Sequence, residues 1–133
     1  MKRLGLIFAA LALVACHSEP PQAAAPAVSA AEQVETGRYL AQAGDCAACH
    51  TVPGGTPFAG GRPIVTPYGS IYSTNLTPDA SGLGGWSADD FWQALHYGRS
   101  KTLGSLYPAF PFTNFTKLSR ADSDALYAYF RSL

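Results

Sequence analysis

Apolar residues recur at helical spacing in three stretches of this chain. The first runs from Ala30 to Ala43, where Val34, Gly37, Leu40 and Ala41 share one face. Ser29 followed by Glu32 has the pattern of a capping box at its start. Glycine inside a helix costs about 1 kcal/mol against alanine, so Gly37 predicts either close approach of a second helix or a kink. The second stretch runs from Ala88 to Tyr97, with Ser87 and Asp90 as its cap, Phe91, Ala94 and Leu95 as its apolar face, and Gly98 placed to end it. The third runs from Arg120 to Ser132 behind a Ser119 and Asp122 cap, and Leu126, Tyr129, Phe130 and Leu133 form its stripe. Such stripes are read as core.

The pattern upstream is different. Lys2 and Arg3 precede an uncharged apolar run from Leu4 to Ala15. The run falls short of the ~20 apolar residues a membrane-spanning helix needs, and a basic start before a short apolar core is the mark of an export signal. It ends Leu13-Val14-Ala15-Cys16, which resembles a bacterial lipobox, where the cysteine is lipidated and becomes the new N-terminus. The bland alternative is an ordinary signal with an incidental cysteine. A free exposed thiol is a liability in an oxidising compartment, which favours lipidation. Beyond Cys16, residues such as Pro20, Pro21 and Pro26 sit among alanines with few large apolar side chains. That composition predicts a semi-extended tether of roughly 3 Å per residue. The organisation expected is a signal peptide over 1–15, a tether over 16–29 and one domain over 30–133.

Between the first two helices lies a long stretch, Thr51 to Trp86, rich in Gly and Pro. A structureless loop of that length needs an explanation. Just before it stands Cys46-Ala47-Ala48-Cys49-His50, the C-x-x-C-H spacing of covalent c-type haem attachment. Two thiols one turn apart can each add to a porphyrin vinyl group, and His50 then points an imidazole at the iron, a common proximal ligand. A redox disulfide would need a βαβ context, and a zinc site would need a second ligand pair; neither is present. A large flat porphyrin also accounts for the loop, because irregular chain can wrap its edge and serve as core. Helices at both ends with loops round one haem predict an all-α fold.

Cysteine count and charge agree with this. Of the three cysteines, Cys16 goes to the lipid and Cys46 and Cys49 to thioethers, so no disulfide is expected. Lys and Arg balance Asp and Glu at nine each, and loss of Lys2 and Arg3 leaves the rest mildly acidic. No basic patch suggests nucleic acid. Beyond the haem turn, no carboxylate pair, Ser-His-Asp set or phosphate loop stands out from background. His17, beside Cys16, is given no role.

Further stretches extend the picture: Gly37-Arg38-Tyr39-Leu40, Gly44-Asp45-Cys46 through Thr51, Pro57-Phe58-Ala59-Gly60-Gly61, Tyr72-Ser73-Thr74-Asn75-Leu76-Thr77-Pro78-Asp79, Gly85-Trp86-Ser87, Leu106-Tyr107-Pro108-Ala109 and Ala125-Leu126-Tyr127-Ala128-Tyr129-Phe130. In these the domain resembles a class I cytochrome c, and more narrowly one haem domain of the cytochrome c subunit of bacterial membrane-bound alcohol and gluconate dehydrogenases. Those subunits typically carry three such domains in tandem, whereas this chain has one. The resemblance implies a class I cytochrome c fold and one covalent haem c held by Cys46, Cys49 and His50. It implies a periplasmic carrier that takes electrons from a membrane-associated dehydrogenase or another cytochrome and passes them to the respiratory chain. With Cys16 lipidated, the carrier would sit on the periplasmic side of a bacterial membrane. Trp86, Arg62 and Arg99 are candidate donors to the haem propionates, or else ordinary core and surface residues.

The family places a methionine as sixth iron ligand in a Leu-Tyr-Pro-Ala-Met-Pro pattern. Here Phe110 stands in that place, and the one methionine, Met1, leaves with the signal. His96 is a candidate sixth ligand; Lys101 and Lys117 are weaker ones, since an ammonium must first lose its proton. The expectation is an iron that is five-coordinate or holds water, with Phe110 packed over it. A second function class follows from that departure, a haem with an open distal face that binds a small gas or reduces peroxide.

Overall fold

The computed structural model describes residues 28–133. The expected signal peptide, the lipidation candidate Cys16 and most of the tether lie outside the described residues. The elements run α1 (Ala30–Ala43), α2 (Cys46–His50), β1 (Pro63–Thr66), β2 (Gly69–Tyr72), α3 (Ala88–Tyr97), β3 (Arg99–Ser100), β4 (Gly104–Ser105), a single 3-10 turn (Phe112–Asn114) and α4 (Arg120–Arg131).

The three expected helices are α1, α3 and α4, and each begins at the predicted serine. In α1 the Glu32 amide donates to Ser29 Oγ at 3.2 Å and Glu32 answers by accepting from the Ser29 amide at 2.9 Å. Ser87 with Asp90 and Ser119 with Asp122 repeat that reciprocal box. Each side chain satisfies a donor that the first helical turn leaves unpaired, worth about 1 kcal/mol per cap. Gly98 ends α3 in the left-handed conformation, φ 60°.

Gly37 marks close approach, not a kink. α1 continues unbroken through it, and a Cβ there would overlap the backbone carbonyl of Ala125 in α4 and lie 2.8 Å from Tyr129 Cβ. The two helices therefore cross with backbone nearly against backbone. α3 also packs on α4, with Phe91 6.0 Å from Phe130, ring centre to ring centre. Phe130 is 1% exposed and sits at the centre of a core formed with Ala41, Phe58, Leu83, Phe91, Leu95 and Leu126. Burial of one such side chain contributes about 1.5–3 kcal/mol. Leu133 departs from its predicted stripe: α4 has ended before it, and it is 45% exposed.

The all-α expectation needs correction. The stretch from Thr51 to Trp86 contains an antiparallel hairpin, β1 paired with β2 through Pro63 to Tyr72 and Ile64 to Ile71. A second, minimal hairpin pairs β3 with β4 after α3. The β-branched Ile64-Val65-Thr66 and Ser70-Ile71-Tyr72, separated by Pro67-Tyr68 and Gly69, carry the signal of a strand pair round a short turn. Two residues of this loop also supply core: Phe58 meets Phe130 edge-on at 5.3 Å, and Leu83 is 3% exposed. Arg131 secures the loop's end by donating to the Leu83 and Gly84 carbonyls at 3.0 and 3.1 Å. No helix among the described residues is long and apolar enough to cross a membrane.

Candidate functional site

Only Gly44 and Asp45 separate α1 from α2. The Gly44 amide closes α1 onto the Leu40 carbonyl at 2.8 Å, and Asp45 then adopts a left-handed φ of 49°. That reversal starts α2 at once in a new direction. Aspartate tolerates this conformation better than most non-glycine residues. One turn of helix then carries Cys46, Cys49 and His50.

The two thiols are unpaired, with Cys46 half-buried against the core and Cys49 exposed. Burial pushes the Cys46 thiol above its ordinary pKa, and the nearby Asp45 and Cys49 add to the rise. Cys46 is accordingly a protonated thiol at neutral pH.

His50 is held by backbone. Its Nδ1 lies 2.7 Å from the carbonyl of Thr74. A carbonyl can only accept, so Nδ1 carries the proton and Nε2 keeps its lone pair. Burial pushes the imidazole pKa down, against the opposing effect of the Thr74 bond. The ring is therefore neutral near pH 7, oriented, and able to offer Nε2 to a metal.

Three runs of chain make that clamp. The Gly60 amide donates to the His50 carbonyl at 2.8 Å, and Thr51 bridges Gly60. Gly60 has φ 72°, and a Cβ on it would come within 2.5 Å of the Thr74 carbonyl carbon, so only glycine lets the strands bring Thr74 against His50. Gly61 and Ser73 continue the ladder into the hairpin, with the Gly61 amide on the Ser73 carbonyl at 2.8 Å. Asn75 fixes the far side: its Oδ1 accepts from the Thr77 amide and hydroxyl at 2.8 and 2.7 Å. Phe58 ties this layer to the core. Its amide donates to Thr51 Oγ1 at 3.0 Å, its carbonyl accepts from Leu76 at 2.8 Å, and its ring packs on Phe130.

The donor set of two free thiols and one neutral imidazole on a single turn fits a covalently attached haem. A zinc site gains no support, since no group of three or more His, Cys, Asp or Glu side chains among the described residues could hold a metal ion.

The remaining predicted residues fall elsewhere. His96 is 6% exposed, its Nε2 is 2.9 Å from the Leu118 carbonyl, and its ring stacks on Trp92 with centroids 3.4 Å apart. Lys101 is engaged by Asp90 at 3.0 Å and by the Gly85 carbonyl, and Lys117 is exposed. Phe110 stacks nearly parallel on Phe115, 5.5 Å between centroids, half-buried against the core. Trp86 is half-buried and its carbonyl accepts the Tyr127 hydroxyl, while Arg62 and Arg99 are exposed and their guanidinium groups have no ion pair among the described residues. Thr74, Gly60 and Phe58 do not stand out in the sequence by their chemistry. Their contributions are a carbonyl, a missing Cβ and a packed ring, and the Gly60-Gly61 pair is the one local signal of them.

The cytochrome c family profile matches residues 34–133. The chain is 55% identical over 98 residues to the gluconate 2-dehydrogenase cytochrome c subunit of Pantoea cypripedii, a match covering 73% of this chain and 22% of that protein. It is 46% identical over 98 residues to the cytochrome c subunit of the quinone-type alcohol dehydrogenase of Gluconacetobacter polyoxogenes, covering 73% of this chain and 21% of that one. It is 41% identical over 111 residues to the fructose dehydrogenase cytochrome subunit of Gluconobacter japonicus, covering 82% and 23%. The chain thus spans less than a quarter of the length of these relatives.

Proposed function

Since the chain belongs to the cytochrome c family, we propose that it is an electron carrier with one covalent haem c, attached through Cys46 and Cys49 with His50 as the proximal iron ligand. The observation that carries this reading is the His50 to Thr74 bond. It leaves a neutral Nε2 with its lone pair free, beside two free thiols on the same turn. Haem, when bound, supplies a one-electron iron couple. The chain's own residues do the rest. Cys46 and Cys49 fix the cofactor in position and orientation. Thr74 holds the His50 ring, so the ligand does not turn or gain a proton when the iron changes charge. Gly60 and Phe58 couple that clamp to the rigid core, which keeps reorganisation small.

The relatives' names place cytochrome subunits beside dehydrogenases of gluconate, alcohol and fructose. A dehydrogenase is accordingly the proposed donor and a respiratory chain component the proposed acceptor, with no enzymatic step of the chain's own. The N-terminal pattern supports a periplasmic location with a lipid on Cys16.

The test is the haem itself. Protein expressed with a cytochrome c maturation system should exceed its polypeptide mass by one haem that survives acid-acetone extraction. His50→Ala should keep that mass but lose the wild-type ferric spectrum. Extractable haem, or none, overturns the reading.

A further inference from the structure

His96 is a candidate sixth ligand on sequence, and its surroundings in the fold give it another task. Protein atoms cover all but 6% of the residue. Its Nε2 faces the Leu118 carbonyl at 2.9 Å, so Nε2 must carry the proton and donate. Its Nδ1 then holds the lone pair, and that atom is buried without a partner among the described residues. One ring face lies on Trp92. An iron ligand needs an unprotonated nitrogen with a porphyrin-sized opening in front of it. Nε2 is occupied and Nδ1 is walled in.

The bond that Nε2 does make joins α3 to the end of the segment that carries Phe110. The other end of that segment is fastened to α3 as well. The Leu106 amide donates to the Gly98 carbonyl at 2.6 Å, and the ring of Phe112 lies so close to Gly98 that a Cβ there would be 2.7 Å from Phe112 Cδ1. Lys101 reaches back to Asp90 in the first turn of α3. Within the segment, Phe115 stacks on Phe110, and its ring and Cys46 Sγ both border Gly44, 4.0 and 3.6 Å from where a Cβ on it would sit. Phe115 therefore borders the attachment turn, and Phe110 reaches it through that stacking. Arg120, just beyond Leu118, adds a looser tie by pairing with Asp89 at the surface. Of these attachments at the Leu118 end, the His96 bond is the one sheltered from solvent, made by a buried ring to a partly buried carbonyl, and a sheltered carbonyl left without its donor is the costly case.

We propose that His96 is a positioning residue and not an iron ligand: through its bond to the Leu118 carbonyl it latches the Gly98–Leu118 segment, and with it the Phe110–Phe115 pair, onto α3. The consequence for the haem rests on the function proposed above; the latch itself does not. Glutamine can place its amide Nε2–H where the imidazole Nε2–H now lies, but alanine cannot.

The experiment compares wild type, His96→Ala and His96→Gln by two readouts. The first is hydrogen exchange at the Phe115 and Leu118 amides, which bond to Phe112 and Phe115 carbonyls at 2.9 and 3.1 Å. The second is the ferric spin state and the rate of carbon monoxide binding to the ferrous protein. His96→Ala should exchange those amides about tenfold faster and bind carbon monoxide faster, and His96→Gln should restore both. Loss of a low-spin signal in both variants, with exchange unchanged, would identify His96 as a ligand and overturn the proposal. Faster exchange in His96→Ala with unaltered carbon monoxide binding would also overturn it, by showing a bond that does not reach Phe110. A preparation without covalent haem would refute the functional reading, while the exchange comparison would still decide the latch.

Discussion

Gly37 of α1 faces the main-chain carbonyl of Ala125 in α4, with no room between them for a methyl group. This contact sets the spacing of the two terminal helices and so the position of α2, which follows α1 after two residues. On helix propensity alone Gly37→Ala should stabilise the protein by about 1 kcal/mol. The overlap is with backbone, which cannot rotate away, and overpacking of this kind costs about 1–3 kcal/mol or more. Gly37→Ala should therefore lower Tm by roughly 4–8 °C per kcal/mol lost. An unchanged or raised Tm in a calorimetric scan would show that the helices can part without penalty.

The caps predict an acid response. The Asp90 carboxylate lies below its ordinary pKa, first because it accepts from the Ser87 amide, then through Lys101 and the Ser87 hydroxyl. Glu32 is lowered in the same way by Ser29. A depressed folded-state pKa contributes stability that is complete above the ordinary carboxylate range and is lost as pH falls through the depressed value. Stability should hold from neutral pH to about pH 5 and decline below about pH 4. Ser87→Ala should cost about 1 kcal/mol at pH 7 and less at an acid pH low enough to protonate Asp90 in both proteins. Urea titrations at the two pH values measure the difference, and an equal cost at both would exclude the carboxylate's part.

The proposed N-terminal lipid predicts a partition. With Cys16 lipidated, the full chain should enter the detergent phase of a Triton X-114 separation, and Cys16→Ser should move to the aqueous phase. A Cys16→Ser protein that stays with detergent would place the anchor elsewhere.

Salt dependence is the fourth expectation. From Cys46 to Pro78, the stretch that carries the attachment turn, the hairpin and Thr74, Arg62 is the one formally charged residue. Steering by a charged patch raises association rates by about 10–10³-fold and fades with ionic strength. Here the electron-transfer rate with the physiological donor should change by less than about threefold between roughly 0.01 M and 0.15 M salt, where the Debye length shrinks from about 30 to 8 Å. A steep fall would reveal a charged interface.

What the sequence determined by itself was whatever depends on neighbours in the chain. The three long helices, their serine caps and the Gly98 terminator were legible because capping and helical periodicity act within a few residues. The Cys46-Ala47-Ala48-Cys49-His50 turn was legible for the same reason, since the whole C-x-x-C-H motif lies within five adjacent residues. Gly37 could be read only as a choice between kink and contact, because the deciding atom belongs to Ala125, 88 positions away. The hairpin from Pro63 to Tyr72 was hidden among glycines and prolines, and its Ile64 and Ile71 pair, half-buried on one face, gains its meaning only from the strand register. Tertiary structure alone decided the proton on His50, because the acceptor is a main-chain carbonyl and any residue type at position 74 would offer one. It also decided the environment of His96. Helical phase leaves a residue beside Leu95 free to face either way, and only the fold set Nε2 on the Leu118 carbonyl and left Nδ1 buried without a partner among the described residues.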